Sequence, residues 1–150
     1  MLFRSALLGW WPRLSSTLET TVEEQRARLI EEPGTLAQDW TATEDPAAQG
    51  ASGEIIWSTS EQRGFMRIRG LAANEPTREQ YQLWIFDRNR DERYPVDGGV
   101  FDIPAGAEEV LVPIDAKLPF EEPYLFAVTV EPPGGVVVSS RERIVLVAEV

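Results

Sequence analysis

Cysteine and histidine are both absent from the 150 residues, and lysine occurs once, at Lys117. Their absence excludes disulfides, thiolate nucleophiles, Cys/His zinc sites, a Ser-His-Asp triad and any imidazole acid–base switch. It does not fix a compartment, since a cysteine-free chain suits the cytosol and a periplasm equally. Positive charge is also scarce: 14 Lys and Arg stand against 25 Asp and Glu, a net charge of −11. Such a field repels a phosphate backbone, and the arginines are scattered along the chain rather than clustered. Neither nucleic-acid binding nor attachment to anionic lipid by surface charge is expected. Long apolar runs are missing too. Met1 to Trp11 is apolar but broken by Arg4, well short of the roughly 20 residues a membrane helix needs. No small-residue cleavage site follows Trp10-Trp11-Pro12, so a signal peptide is not indicated. Two readings of this stretch stay open: the interfacial end of a transmembrane helix, or a terminus packing its tryptophans on the domain.

What is present is the composition of an ordinary soluble domain, 43% hydrophobic and 26% charged. Ser16 to Glu32 reads as one helix. Ser16-Thr17-Leu18-Glu19 fits a capping box, Glu19, Glu23 and Glu24 sit early, Arg26 and Arg28 sit late, and Pro33-Gly34 stops it. Its apolar stripe of Leu18, Val22 and Leu29 is thin, which suits a connector or lid. Thr41 to Gly53 lacks large apolar residues and reads as a flexible linker. The expected division is therefore a possible membrane-span tail over 1–13, a helix over 14–34, a linker over 35–52 and a β-domain over 53–150.

Beyond Gly53 the apolar period changes from helical to alternating. Strands are predicted at 54–58, 65–69, 80–86, 110–114, 124–130 and 143–150, with Asp97-Gly98-Gly99 as a tight turn. Pro132-Pro133-Gly134-Gly135 turns the chain into Val136-Val137-Val138. Gln80 to Phe86 is apolar on both faces and should lie centrally in its sheet. The fold class is mainly β: an antiparallel sandwich of about seven strands in immunoglobulin-like layers, preceded by one helix.

No constellation completes a catalytic or metal site. Asp87, Asn89 and Asp91 begin a calcium-loop pattern, but Glu92 stands where the bending glycine belongs and Gly98 where the bidentate glutamate belongs. Asp97, Asp102, Glu108 and Glu109 lie in polar turns, not in the contrasting environments that paired-carboxylate chemistry needs. Ser58, Ser60, Ser139 and Ser140 have no evident base and no G-x-S-x-G elbow. Trp57, Trp84 and Phe86 are either core or an aromatic platform for a sugar or peptide. Neither a cofactor nor an enzymatic activity is expected.

Three segments together resemble the C-terminal domain of RskA-type anti-sigma factors, the anti-sigma-K family. The first is the strand pair ending in Gly70-Leu71, followed by Tyr81-Gln82-Leu83-Trp84-Ile85-Phe86-Asp87. The second is Asp97-Gly98-Gly99-Val100-Phe101, and the third Phe126-Ala127-Val128-Thr129-Val130-Glu131-Pro132 running into Gly134-Gly135. The likeness covers roughly Gly53 to Val150. Its motif positions are Tyr81, Gln82, Leu83, Trp84, Gly98, Gly99, Thr129, Glu131, Gly134 and Gly135. It implies a three-part switch: a cytoplasmic sigma-binding part outside this chain, one membrane span just upstream, and this domain on the extracytoplasmic side, sensing or holding state, with cleavage near the membrane by site-1 and intramembrane proteases freeing the sigma factor inside. The chain departs from the family in carrying Val136-Val137-Val138-Ser139-Ser140-Arg141 where a Ser/Pro/Thr-rich stretch is common, and in lacking the His/Cys zinc motif of many sigma-binding modules. The alternatives are a non-catalytic sandwich binding a carbohydrate or protein, which requires Trp57, Trp84 or Phe86 to be exposed together, and an enzyme, which requires a pocket of desolvated carboxylates.

Overall fold

The computed structural model describes residues 20–150. Among these residues are one α-helix, α1 (Val22–Glu31), and nine strands: β1 (Leu36–Asp39), β2 (Thr41–Ala42), β3 (Ser52–Ser58), β4 (Arg63–Arg69), β5 (Gln80–Asp87), β6 (Val96–Phe101), β7 (Glu109–Pro113), β8 (Pro123–Glu131) and β9 (Ile144–Glu149). The strands form two antiparallel sheets, ordered β1-β3-β4-β7 and β2-β9-β8-β5-β6. The expected sandwich is there, with more strands than the alternation indicated.

Between the sheets lies one core, to which Trp57, Met66, Ile68, Tyr81, Leu83, Ile85, Phe126 and Val128 contribute. Period-2 alternation puts them there: Met66 and Ile68 point inward while Arg67 and Arg69 point out, and Leu83, Phe126 and Val128 are completely buried. β5 lies between β8 and β6, the interior position its two apolar faces require.

Neither open side of the sandwich is left bare. At Trp40 the chain passes from one sheet to the other: β1 pairs with β3, the Trp40 N–H bonds to the Gly53 carbonyl (2.9 Å), and β2 pairs with β9. On the other side Ile114 N–H still bonds to Gly64, after which Asp115 N–H and Lys117 N–H bond to Gly98 and Asp97 of β6. These crossings satisfy edge groups that would otherwise template aggregation.

The segment expected as a linker is thus part of the fold. Within it β2 joins the five-stranded sheet, and Asp45 caps a 3-10 turn at Pro46–Ala48 by accepting the Ala47 N–H (2.9 Å). Ala48 is fully buried. Arg143 of the β8–β9 connection grips both Asp45 carboxylate oxygens at 2.9 and 3.0 Å. Its guanidinium holds the Asp45 carboxyl below the ordinary range, aided by the Ala47 N–H and opposed by burial. A depressed folded pKa means this contribution is present above the unfolded value of about 4 and is lost as pH falls through the folded one. Asp45→Asn should therefore lower stability at neutral pH. In urea melts its deficit against the parent should shrink as pH drops below about 4, and a pH-independent deficit would exclude this charge as the cause.

α1 starts later than expected. Thr21 is its N-cap, accepting the Glu24 N–H at 3.1 Å, whereas the Ser16 capping box lies outside the described residues. Rather than spanning free, the helix lies on the outer face of the four-stranded sheet, where Leu29 packs on Ile56 and Phe65 with Val22 at the margin. Around this small apolar contact runs an ion network. Arg67 reaches Glu23 of α1 (2.9 Å), Glu54 of β3 (3.1 Å) and Glu109 of β7 (2.8 Å), and Arg26 reaches Glu54 (3.2 Å). The Glu23 carboxylate, followed by Glu109, raises the Arg67 pKa further, and Arg67 in turn lowers that of Glu23. Arg67→Met should leave Glu23 without its ion-pair partner, while Glu54 keeps Arg26 and Glu109 keeps Arg69, and loosen the helix from the sheet. Amide exchange of Val22–Glu31 should then approach that of a free peptide while β5 and β8 stay protected. Retained helix protection in this variant would show that Leu29 and the Arg26–Glu54 pair hold it without Arg67.

Candidate functional site

β5 and β8 are neighbours, with Gln80 opposite Glu131, Gln82 opposite Thr129 and Leu83 opposite Val128. Side chains two apart on a strand share a face, so Gln80, Gln82 and Trp84 meet Thr129 and Glu131 on the outer surface of the five-stranded sheet. There they hold residues 134–141 across the sheet. The Gln82 carboxamide acts as a substitute strand: its Nε2 donates to the Val136 carbonyl (3.0 Å) and its Oε1 accepts the Val136 N–H (2.9 Å). Gln80 Oε1 accepts the Gly134 N–H (2.8 Å). Beside this clasp runs a relay in which Trp84 Nε1–H donates to Thr129 Oγ1 (2.9 Å), and Thr129 donates to Glu131 Oε2 (2.6 Å). Ser139 Oγ donates to that same oxygen. Glu131, only 6% exposed, is thus satisfied by two hydroxyls.

Glycine is required at the start of the flap. Gly135 has φ +77°, and a Cβ there would lie 2.6 Å from Val100 Cγ2 and 2.8 Å from Gln82 Oε1. Beneath the flap Trp84, Phe86 and Ala127 form a second small apolar layer. The Gly98-Gly99 pair has a different place from the one expected. It lies inside β6, where the register against β5 slips so that Leu83 faces both glycines, a β-bulge rather than a turn. Gly99, at φ +105°, takes the strained conformation, and Asp97 Oδ1 accepts its N–H at 2.8 Å.

The motif positions therefore converge on one construction. Tyr81 and Leu83 face the core, Gly98 leaves room for Leu83 while Gly99 lies against Asp115, and Gln82, Trp84, Thr129, Glu131, Gly134 and Gly135 build and pin the flap. The spacing of Thr129 and Glu131 signals a shared face, but nothing local in the sequence signals their contact with Ser139.

The remaining candidates are engaged elsewhere. Asp87 is buried, and its oxygens accept the N–H groups of Asn89 (3.1 Å), Glu122 (3.3 Å) and Glu121 (3.4 Å), which pins two loops together. Asp91 is turned to Arg93 at 2.7 Å, whose guanidinium pushes its pKa down to about 2. Asn89 is exposed and does not join them. Among the described residues no group of three or more acidic side chains is placed to hold a metal ion. Asp102 accepts from Asn74 (2.8 Å) and Gln80 (3.0 Å), Glu109 pairs with Arg67 and Arg69, and Glu108 is exposed. Asp97, Asp102, Glu108 and Glu109 thus form no acid–base pair.

Ser58 and Ser60 bond to each other (3.2 Å), and Ser140 is exposed. Ser139 departs from expectation, since it has a carboxylate beside it in Glu131. That carboxylate is shared with Thr129 and fixes the flap, and no oxyanion-stabilising partner accompanies it among the bonds described. The aromatic platform also fails. Trp57 stacks on Phe120 inside the core (centroids 4.1 Å apart), whereas Trp84 and Phe86 lie on the opposite surface of the other sheet, and all three are buried.

Comparison with curated proteins gives no match, and neither does comparison with solved structures. The family model described as anti-sigma-K factor RskA, C-terminal, matches residues 5–140, which takes in α1, eight of the nine strands and the whole of the clasp up to Ser139, and the chain belongs to that family.

Proposed function

We propose that this chain is the extracytoplasmic regulatory domain of a membrane-anchored anti-sigma factor, which controls an extracytoplasmic-function sigma factor through regulated proteolysis. An anti-sigma regulatory role follows from family membership. The location and the proteolytic step are the inference. The observation that carries it is the docking of α1: the segment next to the apolar Met1–Trp11 run is tied to the sandwich through Leu29 and the Arg67 network. A change in the folded domain is thereby felt where the chain would approach the membrane. The sigma factor itself would be held by a cytoplasmic part outside this chain. Among residues 20–150 no helix is long and apolar enough to cross a membrane; in this proposal the anchor precedes α1. Burial of Trp57, Trp84 and Phe86 counts against the carbohydrate-platform alternative.

Topology reporters test the proposal directly. Alkaline phosphatase fused after Val150, in the protein expressed from its own gene, should be active, and a cytoplasm-dependent fluorescent fusion at that point should stay dark. The reverse pattern would place the domain inside and end the proposal. If the docked helix restrains cleavage, Arg67→Met should also raise the output of a sigma-dependent reporter, with shortened anti-sigma fragments on an immunoblot.

A further inference from the structure

The flap that crosses the outer face of the five-stranded sheet is fastened differently from every other long connection. Two main-chain bonds bracket it: the Gly135 N–H donates to the Pro132 carbonyl (2.9 Å), and the Val130 N–H to the Arg143 carbonyl (3.0 Å). Between them, residues 136–142 make no main-chain to main-chain hydrogen bond to any described residue. The other long connections all have them. Thr43 N–H bonds to Val145, Ala72 N–H to Ala47, Asn74 N–H to Ile103, Arg88 N–H to Glu122 and Lys117 N–H to Asp97.

Side chains hold the flap instead. Gln82 takes both polar groups of the Val136 main chain, Ser139 reaches Glu131, and Arg141 donates to the Glu92 carbonyl with its guanidinium over Phe86. Val137 and Val138 lie between these holds, 92% and 50% exposed, and the chain bends at both. Arg141 sits at φ +61°, a left-handed conformation that is strained for a residue with a Cβ. Releasing Ser139 and Arg141 therefore relieves that backbone and lets 137–141 straighten, while the β8–β9 pairing, which ends at Thr129 and Ile144, is untouched. A protease needs the straightened form, and a local opening of this kind supplies it without global unfolding.

The geometry points to the Val137–Val138 bond as the place where the folded domain is cut by an endopeptidase whose primary pocket takes a small aliphatic side chain. The enzyme brings the nucleophile and water is the co-reactant. Water adds across the peptide bond, leaving a carboxylate on Val137 and an amine on Val138. Val137 suits such a pocket because its side chain already stands clear of the protein, whereas the Arg141 side chain is held down on Phe86. The cut leaves the domain assembled, since residues 138–150 carry β9, which pairs with β8 and β2 and buries Val145, Leu146 and Ala148. It makes that strand removable. β9 and Arg143 are the partners of β2 and Asp45, in the stretch that follows α1 and β1, so losing them loosens the chain between α1 and the sandwich. That regulatory consequence rests on the proposed function, while the cut itself does not.

The test is limited proteolysis of the intact chain with pancreatic elastase, followed over time by mass spectrometry. Within residues 20–150 the first cut is expected between Val136 and Ser139. Cuts at Ala73 and Ala105, exposed but in loops with main-chain bonds, should come later. The two fragments should elute together in size exclusion. Val137→Asp combined with Val138→Asp, both at exposed positions, should abolish the flap cut and leave the melting temperature unchanged. Ser139→Ala should speed the flap cut several-fold relative to the cuts at Ala73 and Ala105, because one hold is gone. The flap rate, corrected with a chromogenic substrate for the enzyme's own response, should stay flat in urea well below the unfolding midpoint. A first cut elsewhere in 20–150 overturns the proposal, as does a rate that climbs with the urea slope of global unfolding. In cells the double aspartate variant should lose a shortened fragment on an immunoblot, and an unchanged fragment pattern overturns the regulatory consequence. Topology reporters that place the domain inside end the proposed function and leave the elastase result standing. A resistant flap on an extracytoplasmic domain ends this inference alone.

Discussion

Leu83→Ala is expected to lower the unfolding free energy by about 2–5 kcal/mol, read from the midpoint and slope of a urea titration. Leu83 is fully buried at the middle of β5, and its side chain occupies the space that the β-bulge in β6 leaves open. A Cβ on Gly98 would fall 2.6 Å from Leu83 Cδ2 and 2.8 Å from Ile85 Cδ1. Gly98 does not have a positive φ, so alanine there meets no backbone objection, only those side chains. Gly98→Ala alone should therefore cost about 1–3 kcal/mol by overpacking. In the double variant the new methyl enters the volume that Leu83 vacates, and the combined loss should fall short of the sum by about 0.5–3 kcal/mol. Strict additivity would mean that the glycine is there for a reason other than Leu83.

The same pair explains what the sequence could and could not say. A Gly-Gly dipeptide after an aspartate carries every local mark of a turn, and only the bulk of Leu83 on another strand makes it a bulge. β5 and β8 were legible because many alternating apolar residues each state which face is inward. β1 and β2 are too short for that. Leu36 and Gln38 are only half-buried, and what makes these residues strands is pairing with β3 and β9, the latter over a hundred positions away. The polar stretch 41–53 resembles a linker for the same reason, since its anchors, Arg143 on Asp45 and the Ile144 carbonyl on Thr43, lie far along the chain. In the candidate site the motif letters were visible but their tasks were not. Gln82 and Val136 are 54 residues apart, and no local pattern pairs a strand glutamine with a loop peptide.

That pairing carries the second large effect. Gln82→Leu keeps the size of a 1%-exposed side chain while removing both partners of the Val136 peptide group. Each main-chain group left without a partner away from water costs about 1–3 kcal/mol, so a total of about 2–6 kcal/mol is expected unless the flap lifts and lets water in. The two outcomes differ in amide exchange. If the flap lifts, the Val136 N–H exchanges fast and Trp84 fluorescence shifts to longer wavelength, while the protection of β5 and β8 is kept. Gln82→Glu sharpens the comparison. Its carboxylate can still accept the Val136 N–H but opposes the Val136 carbonyl, and it is buried without a cation in hydrogen-bonding contact, so its folded pKa must lie above the unfolded one. An acid with a raised folded pKa loses stability as pH rises through that value. Gln82→Glu should therefore be less stable than Gln82→Leu at pH 7 and recover toward the parent as pH falls to about 5, where a protonated carboxyl again offers one donor and one acceptor. If both variants keep a protected Val136 amide and a pH-independent stability difference, then the flap is held by the Glu131–Ser139 contact and the Gln82 carboxamide is incidental to it.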